Sequence, residues 1–375
     1  MNAVQILERL VSFPSVVGTP NGAIVAWIRA YLESHCVEVR VLPGPEGDRA
    51  NLFATLGPRD RPGYILSGHM DVVPAGETEW RSDPFTLRAE GDALFGRGTS
   101  DMKGFLAAVL ASVPALKAGR LDCPLHFAFS YDEEAGCLGA PHLIARLPEL
   151  CARPLGAIIG EPSDMSGVRA HKGKAAARLR IEGRAGHSSR PDQGLNAIHL
   201  MAEVLARAVE TAKALEKGPQ DPIFEPPYAS MQIGTIRGGQ ALNIIPDLCV
   251  ADLEARAIPG LVPRALLEPV HAVIRSLAAR GVNATWETLS DYPALSLPAD
   301  APLAALVERL TGKPSLAAVS YGTEAGLYQE AGIAAIICGP GDIDRAHKPN
   351  EFIRLDELHA CQAFIEALGQ GLSQA

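Results

Sequence analysis

This sequence has few features of secreted, membrane-bound or disulfide-rich proteins. Its seven cysteines are an odd number and include no C-x-x-C pair, which argues against a disulfide framework and indicates reduced thiols. No apolar run is long enough to cross a bilayer, and residues 1–10 have the pattern of an amphipathic helix rather than of a cleavable signal. We therefore expect a cytoplasmic protein with no membrane partner.

The sequence also lacks runs of Lys and Arg, internal repeats and low-complexity tracts. Its formal net charge of −9 argues against a nucleic acid as the main partner. The chain has 375 residues, more than one ordinary domain contains. Its hydrophobic content of 47% is enough to form two cores. We predict a two-domain α/β protein.

Two sequence motifs that are missing exclude two classes of chemistry. The segment Gly96–Gly104 is rich in glycine but matches neither G-x-x-x-x-G-K-[ST] nor a strand followed by G-x-G-x-x-G, which argues against nucleotide binding. Two serines follow His187, yet there is no G-x-S-x-G elbow, which argues against a serine hydrolase.

A first candidate site follows an apolar strand that begins at Tyr64. This strand leads into His69-x-Asp71 and is broken at Pro74. A neutral imidazole is a good zinc ligand when its other ring nitrogen is held, and a nearby carboxylate can hold it. We predict His69 as a metal ligand and Asp71 as its orienting partner; a simple ion pair at a strand end is the alternative.

Asp101 lies in a glycine-flanked turn that precedes the apolar segment 105–110. That segment has the composition of a buried helix, so Asp101 is presented at a loop-to-helix junction. It is a candidate ligand, and a helix N-cap is the alternative.

Three more segments deliver acids or an imidazole after apolar strands. The strand over 125–131 ends in Asp132-Glu133-Glu134, and the short strand 157–160 is followed by Glu161. Consecutive carboxylates repel one another, and a cation would remove that repulsion; a solvated acidic turn is the alternative. The strand 334–339 leads to His347, the second imidazole that such a cluster needs.

Taken in order, these segments resemble the M20 metallopeptidase family of co-catalytic zinc amidohydrolases. The segments that carry the resemblance are HMDVVP, GRGTSDMKG, DEEAG, GEP and AHKPNEF, and the likeness covers nearly the whole chain. Within the family it is greatest to the acetylornithine deacetylase branch. The resemblance implies hydrolysis of an N-acyl amino acid, with N-acetyl-L-ornithine of arginine biosynthesis as the first choice. A desuccinylase, an aminoacylase, a small dipeptidase and a non-catalytic binding protein are the alternatives.

The resemblance also implies roles for single residues. Asp101 would bridge two divalent metal ions, zinc in the first place and cobalt as the alternative. Glu133 would be the general base that takes a proton from the attacking water and hands it to the leaving amine. The implied metal ligands are His69, Asp101, Glu134, Glu161 and His347.

The order of predicted strands and helices changes after residues 171–174. The predicted elements that follow are strand 175–182, helix 194–216, strand 229–237, strand 248–257, helix 263–280 and strand 282–289. This βαββαβ order is that of a ferredoxin-like unit. We predict it as an insertion, 175–289, in a zinc-peptidase-like catalytic domain formed by 1–174 and 290–375, with a mixed or parallel sheet covered by helices.

In family dimers the insert pairs with its twin, so the resemblance implies a homodimer. It also implies that His187 reaches the neighbouring active site and stabilises the oxyanion, and that Asn243 and Arg256 bind the substrate. A planar guanidinium suits the α-carboxylate, although an ion pair of Arg256 with Glu254 or Asp252 is the alternative.

The choice of branch depends mainly on the segment Tyr321–Leu327. Its Glu324 adds a carboxylate that would suit a cationic amino group of the substrate, provided that the side chain faces the pocket.

Overall fold

A computed structural model of the chain describes residues 1–373, and the chain divides into two compact units. Unit 1 consists of Met1–Ala170, Leu295–Ala318 and the chain from Thr323 onwards. Unit 2 consists of His171–Ala294 and Val319–Gly322. The predicted insert, 175–289, lies inside unit 2.

Helices and strands alternate through most of the chain. The helices are α1 Ala3–Val11, α2 Gly22–Ser34, α3 Gly104–Ala118, α4 Ala140–Ile144, α5 Leu147–Leu150, α6 Ala197–Leu215, α7 Pro263–Ala279, α8 Pro302–Thr311, α9 Ala325–Glu330 and α10 Leu355–Leu372. The strands are β1 Glu38–Pro43, β2 Ala50–Leu56, β3 Tyr64–His69, β4 Arg88–Glu90, β5 Ala93–Phe95, β6 Leu125–Ser130, β7 Gly156–Pro162, β8 Ala170–His171, β9 Gly173–Glu182, β10 Ser230–Gly238, β11 Leu248–Ala257, β12 Asn283–Tyr292, β13 Leu295–Ser296, β14 Ala335–Gly339 and β15 Phe352–Arg354. Among residues 1–373, no helix has both the length and the apolar character that crossing a membrane requires.

Unit 1 is built on a mixed sheet with the strand order β1-β2-β6-β3-β7-β14. The pairs β1/β2 and β2/β6 are antiparallel, whereas β6, β3, β7 and β14 run parallel to one another. The carboxyl ends of these four parallel strands therefore meet at one edge, where α/β proteins place their sites. The predicted fold class, a mixed or parallel sheet with helical cover, is confirmed.

Helix α3 fills the centre of the unit 1 core. Every residue from Gly104 to Val113 is buried, as expected of a helix that is apolar on all sides. It packs against α1 and α10, and its Phe105 faces strand β7 so closely that a Cβ at Gly160 would lie 2.0 Å from the Phe105 ring. The strand and the helix that begins at the Asp101 turn are thus in direct contact.

Unit 2 has the βαββαβ order that the sequence pattern predicts. Its antiparallel sheet has the strand order β10-β11-β9-β12, and burial alternates residue by residue along β11. The buried face packs against α6 and α7. Helix α6 begins at Ala197 rather than at the predicted residue 194, because the side chain of Asn196 accepts the N–H groups of Ile198 and His199 and caps it.

We predict that Gly160→Ala lowers the free energy of unfolding by about 1–3 kcal/mol, because the added methyl overlaps the buried Phe105 ring. Urea denaturation measures the change. Gly76→Ala is the matched control, since a Cβ there would meet nothing within 4 Å. Combining Gly160→Ala with Phe105→Leu should restore part of the loss; equal stability of the Gly160 and Gly76 variants would refute the contact.

Candidate active site

The parallel edge of the unit 1 sheet gathers the acids and imidazoles that the sequence singles out. His69 is the last residue of β3, Glu161 lies near the end of β7, and Glu133 and Glu134 follow β6 after a short turn. His347 follows β14 in a loop, where it has a positive φ of 59°.

Asp101 lies between two imidazoles. Its Oδ1 is 3.1 Å from Nε2 of His69, and its Oδ2 is 3.2 Å from Nε2 of His347. Each carboxylate oxygen therefore faces a different ring. This is the arrangement expected of a carboxylate that is shared by two cations.

Further carboxylates surround these rings. Glu161 Oε1 is 3.8 Å from Nε2 of His69, and Glu134 Oε1 is 3.0 Å from Nε2 of His347. Two sets of three residues bring one donor atom each within 4.8 Å of one another. These sets are His69, Glu133, Glu161 and His69, Asp101, Glu134.

The pKa values of the clustered carboxyl groups are shifted by burial and by their neighbours. Burial, opposed by His69 and reinforced by neighbouring carboxylates, raises the pKa of Glu133 to about 8. Burial also raises the pKa of Glu161 well above its usual range. Burial alone would raise the pKa of Asp101, but hydrogen bonds from His347 and His69 outweigh it and lower that pKa. Glu133 and Glu161 therefore tend to keep their protons, whereas Asp101, which contacts both imidazoles, is ionised.

A divalent cation fits this donor set. Imidazole nitrogens combined with carboxylate oxygens are ligands for zinc and related ions. The buried acids with raised pKa values would exchange protons for metal charge, because a bound cation favours the ionised carboxylate. The converging atoms and their charge both suit metal binding.

Asp71 holds the neighbouring turn in place. The Nδ1 atom of His69 lies 2.9 Å from the main-chain oxygen of Asp71 and 3.6 Å from its carboxylate. The carboxylate instead accepts the backbone N–H groups of Glu133 and Glu134 at 3.2 and 3.1 Å. The orienting contact that we predicted for the Asp71 carboxylate is thus made by its carbonyl, because the chain turns there and directs the side chain to the acidic turn.

The three consecutive acids face different surroundings. Asp132 is buried, accepts the N–H of Gly18 and is paired with Arg49. Glu133 Oε1 accepts a weak hydrogen bond from the thiol of Cys137 at 3.3 Å. One of the three charges is thereby neutralised away from the ligand cluster.

Glu324 directly precedes α9 and is buried, with 1% of its surface exposed. Its Oε1 accepts the hydroxyl of Ser67 at 2.5 Å, and its Oε2 accepts the hydroxyl of Ser130 at 2.7 Å. These serines lie on β3 and β6, close to the ends that carry the ligands. The substrate role stays a prediction, and the observed contacts favour a bracing role beneath the site.

The remaining predicted residues lie in unit 2. His187 is exposed, and its Nδ1 accepts the N–H of Ser189 at 3.2 Å. The backbone of Asn243 is close by, since its carbonyl accepts the N–H of Ser188 at 3.0 Å. Arg256 forms an ion pair with Glu254 at 3.2 Å, which is the alternative stated above; its substrate role stays a prediction.

A buried ion pair near Asp101 has no role in the sequence-based prediction. It joins Glu351 and Arg97, each 1% exposed, at 3.0 Å. Both belong to the motifs quoted above, but a Glu four residues after a loop histidine has the local pattern of a surface residue. No local sequence feature distinguishes these two residues from ordinary surface residues.

Comparisons with known proteins agree with this geometry. A model of peptidase family M20/M25/M40 matches residues 65–370. An acetylornithine deacetylase from Photorhabdus laumondii is 33% identical over 374 residues, which covers 97% of this chain and 96% of that protein. Another from Pectobacterium carotovorum is 36% identical over 366 residues, which covers 93% and 92%.

Solved structures share the fold. An M20 family metallo-carboxypeptidase, Sso-CP2 from Sulfolobus solfataricus, gives a TM-score of 0.80 at 17% identity and covers 100% of both chains. The YXEP protein of Bacillus subtilis, a dinuclear metal-binding M20 peptidase, gives 0.66 at 17% identity and covers 100% of this chain and 98% of its own. The chain therefore belongs to peptidase family M20/M25/M40 and is a metallohydrolase that cleaves amide bonds.

Proposed function

We propose that this enzyme hydrolyses N-acetyl-L-ornithine to L-ornithine and acetate. The observation that carries the chemistry is the Asp101 carboxylate, whose two oxygens each face one imidazole, His69 and His347. The choice of substrate is supported by curated relatives named acetylornithine deacetylase that are 33% and 36% identical over nearly the whole chain. This reaction would supply ornithine for arginine biosynthesis.

The proposed ligands divide between two cations. His69 and Glu161 would hold one ion, Glu134 and His347 the other, and Asp101 both. Zinc is our first choice and cobalt our second, since this donor set suits either. When bound, two such ions acidify the attacking water and polarise the acyl carbonyl.

Glu133 is the proposed general base. Its carboxylate takes a proton from the water whose oxygen adds to the acyl carbon. When the carbon–nitrogen bond breaks, the same carboxylate delivers that proton to the departing amine nitrogen. Burial of Glu133 and the Cys137 contact to its Oε1 restrict the carboxylate to few positions, and Asp71 fixes its backbone.

In unit 2, His187 is the proposed donor to the oxyanion. Its Nδ1 is engaged by the hydroxyl and the N–H of Ser189 at 2.7 and 3.2 Å, so we assign the donor role toward a developing negative charge to Nε2. We propose that it acts in the partner's site of a homodimer formed through unit 2. Asn243 and Arg256 would bind the substrate, with Arg256 exchanging Glu254 for the substrate α-carboxylate.

We place the enzyme in the cytoplasm. The cysteines of the described chain are all free thiols, the state that a reducing compartment maintains.

The substrate proposal predicts metal-dependent amine release with a preference for N-acetyl-L-ornithine. The panel is that compound with N-succinyl-diaminopimelate, N-acetyl-methionine and a dipeptide, each assayed with zinc or cobalt and again after chelation. Preference for another member would keep the chemistry and overturn the substrate. Silence across the panel in a protein loaded with two ions would overturn N-acetyl-L-ornithine as the substrate and point to an untested acyl group or to a binding protein on the same scaffold.

The general-base proposal predicts that Glu133→Gln lowers kcat by about 10²- to 10⁴-fold, with little change in KM and two metal ions retained, because the amide cannot take the proton. Elemental analysis and steady-state kinetics measure both. Glu149→Gln, at an exposed position, is the control. A Glu133→Gln enzyme with near-normal kcat would remove the assignment.

The shared-site proposal predicts that His187→Ala lowers kcat by about 10²-fold and keeps its metal. Mixing it with Glu133→Gln under subunit exchange should then restore roughly a quarter of wild-type activity, because half of the dimers are mixed and each holds one intact site. No recovery despite mixed dimers detected by native mass spectrometry would show that His187 does not act across the dimer.

A further inference from the structure

Glu351 is a buried carboxylate with four donors. Its Oε1 accepts the backbone N–H groups of Ser100 and Asp101 at 2.9 and 3.0 Å. Its Oε2 accepts the N–H of Gly98 at 3.1 Å and the guanidinium of Arg97 at 3.0 Å. All four donors belong to one loop, 97–101, which presents the shared carboxylate of Asp101.

Three backbone N–H groups of this loop, those of Gly98, Ser100 and Asp101, have their acceptor outside the loop. The loop lies between β5 and α3, and buried N–H groups need a partner. Gly98 has a positive φ of 82°, and a Cβ there would lie 2.6 Å from Val72 Cγ1, so the loop conformation depends on glycine and close packing. Glu351 supplies acceptors to three of its N–H groups.

Arg97 offsets the charge of Glu351 and extends the network. Its guanidinium also donates to the main-chain oxygen of Pro74 at 3.1 Å and to Glu77 at 3.1 Å. A further contact, to the main-chain oxygen of Lys348 at 3.4 Å, lies next to His347. The guanidinium therefore joins the segment after β3 to the His347 loop.

The His347 loop is fixed at its other end as well. Asn350 accepts the N–H of Arg81 at 3.0 Å and donates to the main-chain oxygen of Glu79 at 2.9 Å. Glu351 follows directly. Only three residues separate Glu351, which holds the Asp101 loop, from the imidazole of His347, which contacts Asp101 Oδ2.

We propose that Glu351 is a positioning residue that sets the distance between the Asp101 carboxylate and the His347 imidazole. The inference rests on the proposed function, since it assigns these two groups to the cation that they share with Glu134. Glu351 binds the backbone of Gly98, Ser100 and Asp101 and the guanidinium of Arg97, so it acts by holding two loops in register. Contacts of this kind typically change metal affinity by about 10- to 100-fold when they are removed.

The test is metal binding rather than turnover. Metal-free wild type and Glu351→Gln are titrated with cobalt and zinc, with calorimetry for affinity and visible absorption for the cobalt coordination. In the glutamine variant an amide N–H₂ replaces one acceptor oxygen and faces donors. We expect one of the two ions to bind about 10- to 100-fold more weakly, with an altered cobalt spectrum and a kcat that falls more than KM rises.

Two further variants separate positioning from stability. Glu308→Gln removes a carboxylate that accepts the backbone N–H of Ser315 at 2.9 Å and should leave metal affinity unchanged. Glu351→Asp keeps the charge but is one methylene shorter, so it should bind metal with intermediate affinity, and it serves if the glutamine variant does not fold. Thermal melts report the stability of each.

The outcomes are distinguishable. Wild type that takes up two ions, together with folded Glu351 variants of unchanged affinity and spectrum, would overturn the positioning role alone. Wild type that takes up fewer than two ions would overturn the two-ion assignment and this inference with it, whereas metal-loaded wild type that does not hydrolyse N-acetyl-L-ornithine would overturn the proposed function. Weakened binding of one ion at Glu351, with unchanged binding at Glu308, supports the inference.

Discussion

Buried negative charge is the constraint on which unit 1 depends. Four carboxylates and two imidazoles converge at the parallel edge of its sheet, and burying unpaired acids is unfavourable by several kcal/mol each. Asp101 is stabilised because His69 and His347 contact its two oxygens. Burial and the neighbouring carboxylates raise the pKa values of Glu133 and Glu161, and His69 opposes that shift only in part. Bound divalent cations would offset this excess of negative charge, so the folded chain favours metal binding at this edge of the sheet.

A second set of buried acids borders this cluster and organises it. Asp71, Glu324 and Glu351 each accept hydrogen bonds from backbone N–H groups or serine hydroxyls beside a proposed ligand. Asp71 holds the acidic turn, Glu324 joins β3 to β6, and Glu351 holds the Asp101 loop. Ligands on loops can therefore be as well fixed as ligands on strands, because their supports are buried and satisfied.

Much of the architecture follows from local patterns. Apolar runs ended by Pro or Gly predict strands β3, β7 and β14, and alternation with aromatic residues predicts β6. The predicted elements of the insert agree with those of unit 2 within a few residues. The four parallel strand ends then imply that their acids and imidazoles meet. Domain limits depend on contacts rather than on local patterns, and the contacts place Val319–Gly322 in unit 2.

Local sequence patterns predict the strands and the order of the proposed ligands, and the motifs around those ligands carry the resemblance to the family. Which acids face the metal cluster and which support it depends on how the chain folds. Glu324 and Ser67 are 257 positions apart, and Glu351 and Ser100 are 251 apart. A glutamate has the same local pattern whether it binds substrate, metal or backbone; its role is fixed by the donors that the folded chain brings to its oxygens.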